Sequence, residues 1–381
     1  MCSDELTSFI KPLLEIMSSD IKYMQQAIRL AEKGRYTTDP NPNVGCVIVN
    51  DGVVVGEGWH HVAGLEHAEV NALEQAGDRA KGSVVYVTLE PCSHSGKTPP
   101  CADALIQAGV KKVVAAMQDP NPVVAGKGLQ KLSSAGIETQ SGLLEQQARA
   151  LNPGFISRME KGRPFVRVKL AMSMDGRTAM ASGESKWISC EASRNDVQRL
   201  RALSSAVLTG IGTVLADNPS MNVRLSAEHL GIDEVRQPKR IVLDSQLQMP
   251  VNARIARLAG ECMVYTTVDV DNKQDYPFTV ETCDKKNDQI DLHVLMRDLA
   301  KKEINLLHVE AGSVLCGALL KNDLVDEIII YMAPHIMGDA GKGLFHLPEL
   351  ELMKDRIDLK IMDVRSIGSD IRITSRPEML A

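Results

Sequence analysis

The sequence predicts two consecutive α/β domains. Three observations carry this. Strand-like apolar runs alternate with helix-period segments along the whole chain, the pattern of layered α/β folds. Pro and Gly punctuation at Pro153-Gly154 and Gly162-Pro164 separates two such series near residues 160–165. The length, 381 residues, suits two domains of roughly 100–200 residues each. The expected division is an N-terminal extension at 1–19, a first domain at 20–162 and a second at 163–381.

In the first series, "DIKYMQQAIRLAEKGR" spaces Ile21, Met24, Ile28, Leu30 and Ala31 as a helix does, with Asp20 as a candidate cap. "NPNVGCVIVNDGVVVGEGW" reads as two strands joined by a turn at Asn50-Asp51-Gly52. "HAEVNALEQAG" is then a helix, "GSVVYVTLEPC" a strand ending at Pro91, "CADALIQAGV" a helix, "KKVVAAMQDP" a strand and "GKGLQKLSSAGI" a helix. The second series begins with the strand of "FVRVKLAMSMDGRTA". It continues through "AVLTGIGTVLAD", "RIVLDS", "CMVYTT", "LLHVEAGSVLCGALL" and "DEIIIYMAPHIM". The charged stretch from Ser226 to Arg236 reads as a surface insertion.

Composition narrows the function classes. Hydrophobic residues make up 44% and aromatics 3%, so the cores are aliphatic, with 17 Met as filler. A net charge of −6 argues against a general nucleic-acid surface, though not against a local pocket for a phosphorylated small molecule. No stretch reaches the length of a transmembrane helix, and the N-terminus has no signal-peptide pattern. Eight Cys dispersed through a long chain are not a disulfide scaffold. The expected compartment is the cytoplasm.

Two stretches of the first domain carry chemistry. His67 stands two residues before Glu69, and Cys92 and Cys101 are nine apart in "EPCSHSGKTPPC". A catalytic zinc takes three protein ligands and leaves one position for water. His67, Cys92 and Cys101 supply such a set, and a cysteine at a helix start is favoured as thiolate. Glu69 can then serve the activated water as proton shuttle without ligating the metal. This is the H-x-E…P-C…C arrangement of zinc nucleobase deaminases. The usual Cys-x-x-Cys is stretched here, so His94 in the insert and Cys46 stand as rival ligands. Lys97 is a candidate phosphate contact or a solvated loop lysine.

The second domain lacks G-x-G-x-x-G. It does carry a strand reaching Glu310, Ala311 and Gly312 before a helix that starts near Ser313, whose free N–H groups form a candidate anion site. "LTGIGTVLADNP" supplies a second Gly-punctuated turn with Thr213 and Asp217. Arg194, Arg199, Arg201 and Arg224 are candidate phosphate partners, and spacing alone does not choose among them.

"NPNVGCVIV", "GWH", "HAEVNAL", "TLEPCSHSGKTPPC" and "DPNPVVAGKGL" together resemble the deaminase half of the bifunctional riboflavin-biosynthesis enzymes, whose own variant is the nine-residue cysteine spacing. "KLAMSMDGRTAMASGESKWIS", "TGIGTVLADNPSMNVR", "IVLDS" and "HVEAGSVLCGALL" resemble the reductase half. The resemblance implies a cytidine-deaminase-like three-layer α/β/α domain followed by a dihydrofolate-reductase-like α/β domain. It implies one Zn2+ and NADPH as cofactors, and a homodimer or homotetramer. The implied reactions are hydrolytic deamination of 2,5-diamino-6-(5-phosphoribosylamino)pyrimidin-4-one, then reduction of the product's ribosyl group to ribityl. In the deaminase, the resemblance puts Asn41, His60 and Lys97 around the substrate. In the reductase, it puts NADPH against Ala171, Trp187, Thr213, Asp217, Ser245 and the turn of Gly312, Ser313, Val314, Leu315, Cys316, Gly317 and Ala318. Ser185, Arg201, Met221, Arg224 and Glu310 then contact the reductase substrate. Lys169 is a further candidate near the ribose, or a solvated lysine at a strand end.

Two other functions fit the sequence less well. An RNA- or nucleoside-editing deaminase would need a basic groove or stacking aromatics; the acidic balance and two Trp, six Tyr and five Phe give it little support. A zinc-binding protein without catalysis would have no use for an intact Glu69 beside the three ligands.

Overall fold

The structure is a computed structural model and describes residues 19–93 and 100–378. The chain divides into two compact units after Lys161.

The first unit begins with a helix through residues 19–31 (α1). Next come strands β1 (Gly45–Asn50) and β2 (Val53–Trp59), helix α2 (Ala68–Ala76), β3 (Val84–Val87) and α3 (Cys101–Gln107). β4 (Lys112–Ala115), α4 (Lys127–Ser134), β5 (Glu138–Ser141), α5 (Glu145–Leu151) and α6 (Pro153–Lys161) complete it. The five strands form one sheet in the order β2-β1-β3-β4-β5. The first two pairings are antiparallel and the last two parallel. The period-2 alternation of strand side chains fills two opposite faces. Cys46, Ile48, Val85, Val87, Val113 and Ala115 meet the apolar sides of α2, α3 and α4. Val47, Val49, Tyr86 and Val114 meet α1, α5 and α6. The result is the expected three-layer α/β/α unit.

The hairpin turn forms as expected: Asp51 and Gly52 both take positive φ, 48° and 77°, as a two-residue turn joining twisted strands requires. Asp20 is not a cap. The helix already runs at residue 19, and the Asp20 carboxylate instead accepts the hydroxyl of Tyr86. Strand β3 ends at Val87 rather than at Pro91, although beyond it Thr88 N and Glu90 N still donate to the Gly45 and Met117 carbonyls.

The second unit begins with β6 (Phe165–Ser173), β7 (Arg177–Ala179), α7 (Glu191–Ala202), β8 (Ala206–Gly210), α8 (Ile211–Asp217) and α9 (Ala227–Leu230). β9 (Lys239–Leu243), α10 (Arg254–Arg257), β10 (Cys262–Thr266), β11 (Thr279–Thr282), β12 (Lys285–Lys286), β13 (Gln289–Ile290) and α11 (Leu292–Lys301) follow. It ends with β14 (Leu306–Val309), α12 (Ser313–Lys321), β15 (Glu327–Ala333), β16 (Lys342–Gly343), β17 (Leu359–Ile367) and β18 (Asp370–Pro377). Nine strands form one sheet in the order β11-β10-β9-β8-β14-β6-β15-β18-β17. It is parallel from β11 to β15 and antiparallel across β18 and β17. Helices α11 and α12 cover one face, packed on Val166, Val168, Leu208, Leu307 and Val309. On the other face α7 packs Val197 and Leu200 against Ile329 and Tyr331, while α8 and α10 cover Val207, Val242 and Val264. The charged stretch 226–236 contains the short helix α9.

Candidate active sites, one in each unit

In the first unit, three ligand-type atoms converge. His67 is the extended residue that caps α2, Cys101 is the first residue of α3, and Cys92 lies in the loop after β3. Their donor atoms all lie within 4.8 Å of one another, and no other such group occurs among the described residues. His67 Nδ1 stands 3.2 Å from Cys101 Sγ and 3.6 Å from Cys92 Sγ. A tetrahedral zinc, bonded at about 2.0 Å to nitrogen and 2.3 Å to sulfur, would set such atoms about 3.5 Å apart. The spacing fits.

The chemistry of the sulfurs fits as well. The Cys101 thiol and His67 both hydrogen-bond to Cys92 and pull its thiol down to about 4, while the same neighbour and burial push Cys101 up. Without a cation the pair shares one proton; with one, both can be thiolates. Only Cys101 sits at a helix start. Cys92 does not, and its sulfur instead accepts the Cys101 backbone N–H at 3.3 Å.

Glu69 lies in the first turn of α2 and is buried, at 3% exposure. Burial, reinforced by Cys92, raises its carboxyl to about 7, where a carboxyl can both take and give a proton at neutral pH. Cys46 is also buried nearby, and burial holds its thiol protonated. It is not part of the ligand cluster.

Asn41 and His60 come together beside this cluster. His60 Nδ1 faces the Glu66 carbonyl at 3.0 Å, which can only accept, so Nδ1 carries the proton. Nε2 is then the acceptor for Asn41 Nδ2 at 3.1 Å. Burial lowers the His60 pKa and keeps the ring neutral. The ring meets His67 edge to face, with centroids 5.4 Å apart. Lys97 and His94 lie outside the described residues.

In the second unit, the parallel strands β8 and β14 are neighbours; β8 ends in a glycine that opens a helix, and a glycine three residues past the end of β14 opens another. Gly210 caps α8 and Gly312 caps α12, and a Cβ at Gly210 would touch Leu315 at 3.5 Å, so the two turns adjoin. At Gly212 and Gly312 a Cβ would meet nothing within 4 Å, so the backbone is open to a ligand there. Such a crevice at the carboxyl ends of parallel strands is where α/β sheets bind nucleotides.

The remaining cofactor candidates spread along this region. Ala171 is partly buried against the α7 cluster. Trp187 is 72% exposed, and the Arg194 guanidinium lies 4.7 Å from its ring centroid. Asp217 pairs with Lys186 at 2.9 Å. Thr213 and Ser245 are partly exposed, Ser245 beside Gln289. Within the 312–318 turn, Gly312 and Val314 are exposed, but Cys316 and Gly317 face inward: Cys316 joins the core, and Gly317 abuts the His346 carbonyl.

The substrate candidates form a compact charged group. Arg201 holds Glu310 at two points and donates to the Asn222 carbonyl at 2.9 Å. Met221 Sδ lies 3.8 Å from the same guanidinium. Lys169 Nζ stands 4.0 Å from Glu310, and Arg224 is close enough to feel both Arg201 and Glu310. Ser185 is partly exposed and is not drawn into this group by any hydrogen bond described. Burial lowers Lys169 despite Glu310, so it is not the solvated lysine that a strand end would allow. Sequence reasoning missed His308, fully buried with Nε2 3.5 Å from Glu310. Its signal was available: two residues apart on a strand place His308 and Glu310 on one face.

Known proteins resemble this chain along nearly its whole length. The cytidine and deoxycytidylate deaminase zinc-binding region matches residues 17–117, and the RibD C-terminal domain matches 164–373. Riboflavin biosynthesis protein RibD of Escherichia coli is 50% identical over 364 residues, 92% of this chain and 98% of that protein. Its counterpart in Haemophilus influenzae is 50% identical over 372 residues, 96% and 100% of the two chains. Among solved structures, Acinetobacter baumannii RibD superposes with a TM-score of 0.89 at 46% identity, over 95% of this chain and all of that one. A Thermotoga maritima diaminohydroxyphosphoribosylaminopyrimidine deaminase/5-amino-6-(5-phosphoribosylamino)uracil reductase gives 0.82 at 34% identity, over 95% and 99%.

Proposed function

The chain belongs to the RibD family of bifunctional deaminase–reductases of riboflavin biosynthesis, with a zinc-binding deaminase half and an NADPH-dependent reductase half, and on that premise we propose which of its residues act, and on what. The substrates are those named for the Thermotoga relative: the diamino phosphoribosylaminopyrimidine for the first half, and its deaminated product for the second.

One observation carries the deaminase assignment: a single imidazole nitrogen and two sulfurs converge beside the buried carboxyl of Glu69. His67, Cys92 and Cys101 hold the zinc, which when bound supplies an activated water. Glu69 takes that water's proton and returns it to the amine that leaves. Neutral His60 and the Asn41 it anchors orient the pyrimidine, and Lys97 meets the phosphate. The division at residues 20–162 and 163–381, with an extension at 1–19, follows this assignment.

In the reductase half, NADPH supplies the hydride. Ala171, Trp187, Thr213, Asp217, Ser245 and the turn at 312–318 hold it at the strand ends. Glu310, kept ionised by Arg201, orients the opened ribose together with Lys169. Arg224 and Ser185 meet the phosphorylated end, and Met221 packs against the substrate. Within the group, Glu310 is held by Arg201 at two points, and Lys169 Nζ stands 4.0 Å from it.

The chain acts as a homo-oligomer, a dimer or a tetramer. Supporting this, β17 is an edge strand that exposes Ile361, Met362 and Val364, an unpaired apolar edge of the kind proteins cover. A reducing compartment suits its seven free described cysteines, and we assign the cytoplasm. No helix among the described residues is long and apolar enough to cross a membrane. The test of the function is product analysis without and then with NADPH. Deaminated ribosyl product should accumulate first and convert to ribityl on adding NADPH; absence of the deaminated product would refute the reading.

A further inference from the structure

We propose that Glu90 is a positioning residue for the zinc ligand Cys92, acting through a cradle of backbone N–H groups at the start of α4. The proposal rests on the zinc-site reading above and deepens it. Glu90 is 5% exposed. Its Oε1 accepts from Gly128 N at 2.8 Å and Leu129 N at 3.2 Å, and its Oε2 from Gly126 N at 2.9 Å and Asp119 N at 3.1 Å. Helix α4 has no side-chain cap of its own. Its first-turn N–H groups, which every helix leaves without intrahelical partners, are satisfied by a carboxylate from the loop after β3.

The contact is close as well as polar. A Cβ at Gly128 would lie 1.9 Å from the Pro91 carbonyl oxygen, so α4 presses directly on the backbone between Glu90 and Cys92. On its other side Cys92 is held by α3: its carbonyl accepts from Ala102 N at 3.1 Å and its sulfur from Cys101 N at 3.3 Å. Cys92 therefore stands between two helix starts, one fixed through its own atoms and the other through Glu90. A carboxylate suits this role because both oxygens only accept. A carboxamide would turn an NH2 toward two N–H donors, and the loop would have to move.

The test uses the full chain, stripped and reloaded with zinc or cobalt(II). For Glu90→Gln, zinc Kd measured against a chromophoric chelator should weaken roughly 10–100-fold, the size expected for residues that orient metal ligands. The cobalt d–d bands should shift, and deaminase kcat should fall with KM little changed. NADPH oxidation with pre-deaminated substrate should match the wild type, reporting an intact second unit. Glu90→Asp, which keeps the charge on a shorter arm, should fall between the two. A folded Glu90→Gln with wild-type Kd and cobalt spectrum overturns the proposal. If Glu90→Gln does not fold, an unaltered Kd and spectrum in Glu90→Asp overturns it equally. A wild-type chain that takes up no zinc overturns the site assignment and this proposal together, whereas uptake with unaltered variants overturns this one alone.

Discussion

Arg201 and Glu310 form a two-point ion pair, Nε to Oε1 at 2.5 Å and Nη2 to Oε2 at 3.0 Å, with both side chains almost wholly buried. Burial alone would raise the Glu310 carboxyl; the Arg201 charge, the contact with His308 and the Lys169 charge outweigh it and hold the group well below the usual carboxylate range. A depressed carboxylate stabilises the fold above its unfolded pKa, about 4.3, and that stability is lost as pH falls toward the folded value. Arg201→Ala leaves a buried charge unpaired and should cost about 3–5 kcal/mol in urea unfolding at neutral pH. It should also flatten the acid limb of the stability curve. A variant as stable and as acid-sensitive as the wild type would contradict this.

Asn41 and His60 should act as a unit. Asn41→Ala and His60→Ala are each expected to lower deaminase kcat/KM by about tenfold or more without loss of zinc. Because the two side chains bond to each other, the double variant should lose less than the sum, with a coupling of about 0.5–3 kcal/mol. Strict additivity would dissolve the pair.

Removing the metal should separate the halves. A chelator, or Cys101→Ser, should abolish ammonia release and leave NADPH oxidation with deaminated substrate unchanged. Zinc should restore the chelated wild type but not the variant. Simultaneous loss of both activities would argue against independent sites.

The apolar edge of β17 gives a prediction about assembly. Ile361→Glu combined with Val364→Glu should reduce the mass seen by light scattering to that of one chain. An unchanged assembly would place the interface elsewhere.

Much of this architecture could be read locally. The Asn50-Asp51-Gly52 turn, the strands on either side of it and the helix of "HAEVNALEQAG" depend on neighbours within a few residues, and the structure bears them out. What stayed hidden depends on distant partners. Asp20 looked like a cap until Tyr86, 66 residues away, supplied its hydrogen bond. Glu90 carried no local signal, because its partners lie 29–39 residues downstream. In the 312–318 turn, motif matching could not tell exposed Gly312 and Val314 from inward Cys316 and Gly317, because helix orientation against the sheet decides it.

The most direct test of two separate active sites in one chain is Glu69→Gln, assayed for ammonia and NADPH together. The wild type, given the diamino substrate and NADPH, should release ammonia and then consume NADPH. The variant should keep its zinc, lose deamination by about 100-fold or more and consume NADPH at the wild-type rate when supplied with deaminated substrate. Undiminished ammonia release by the zinc-loaded variant would contradict the account.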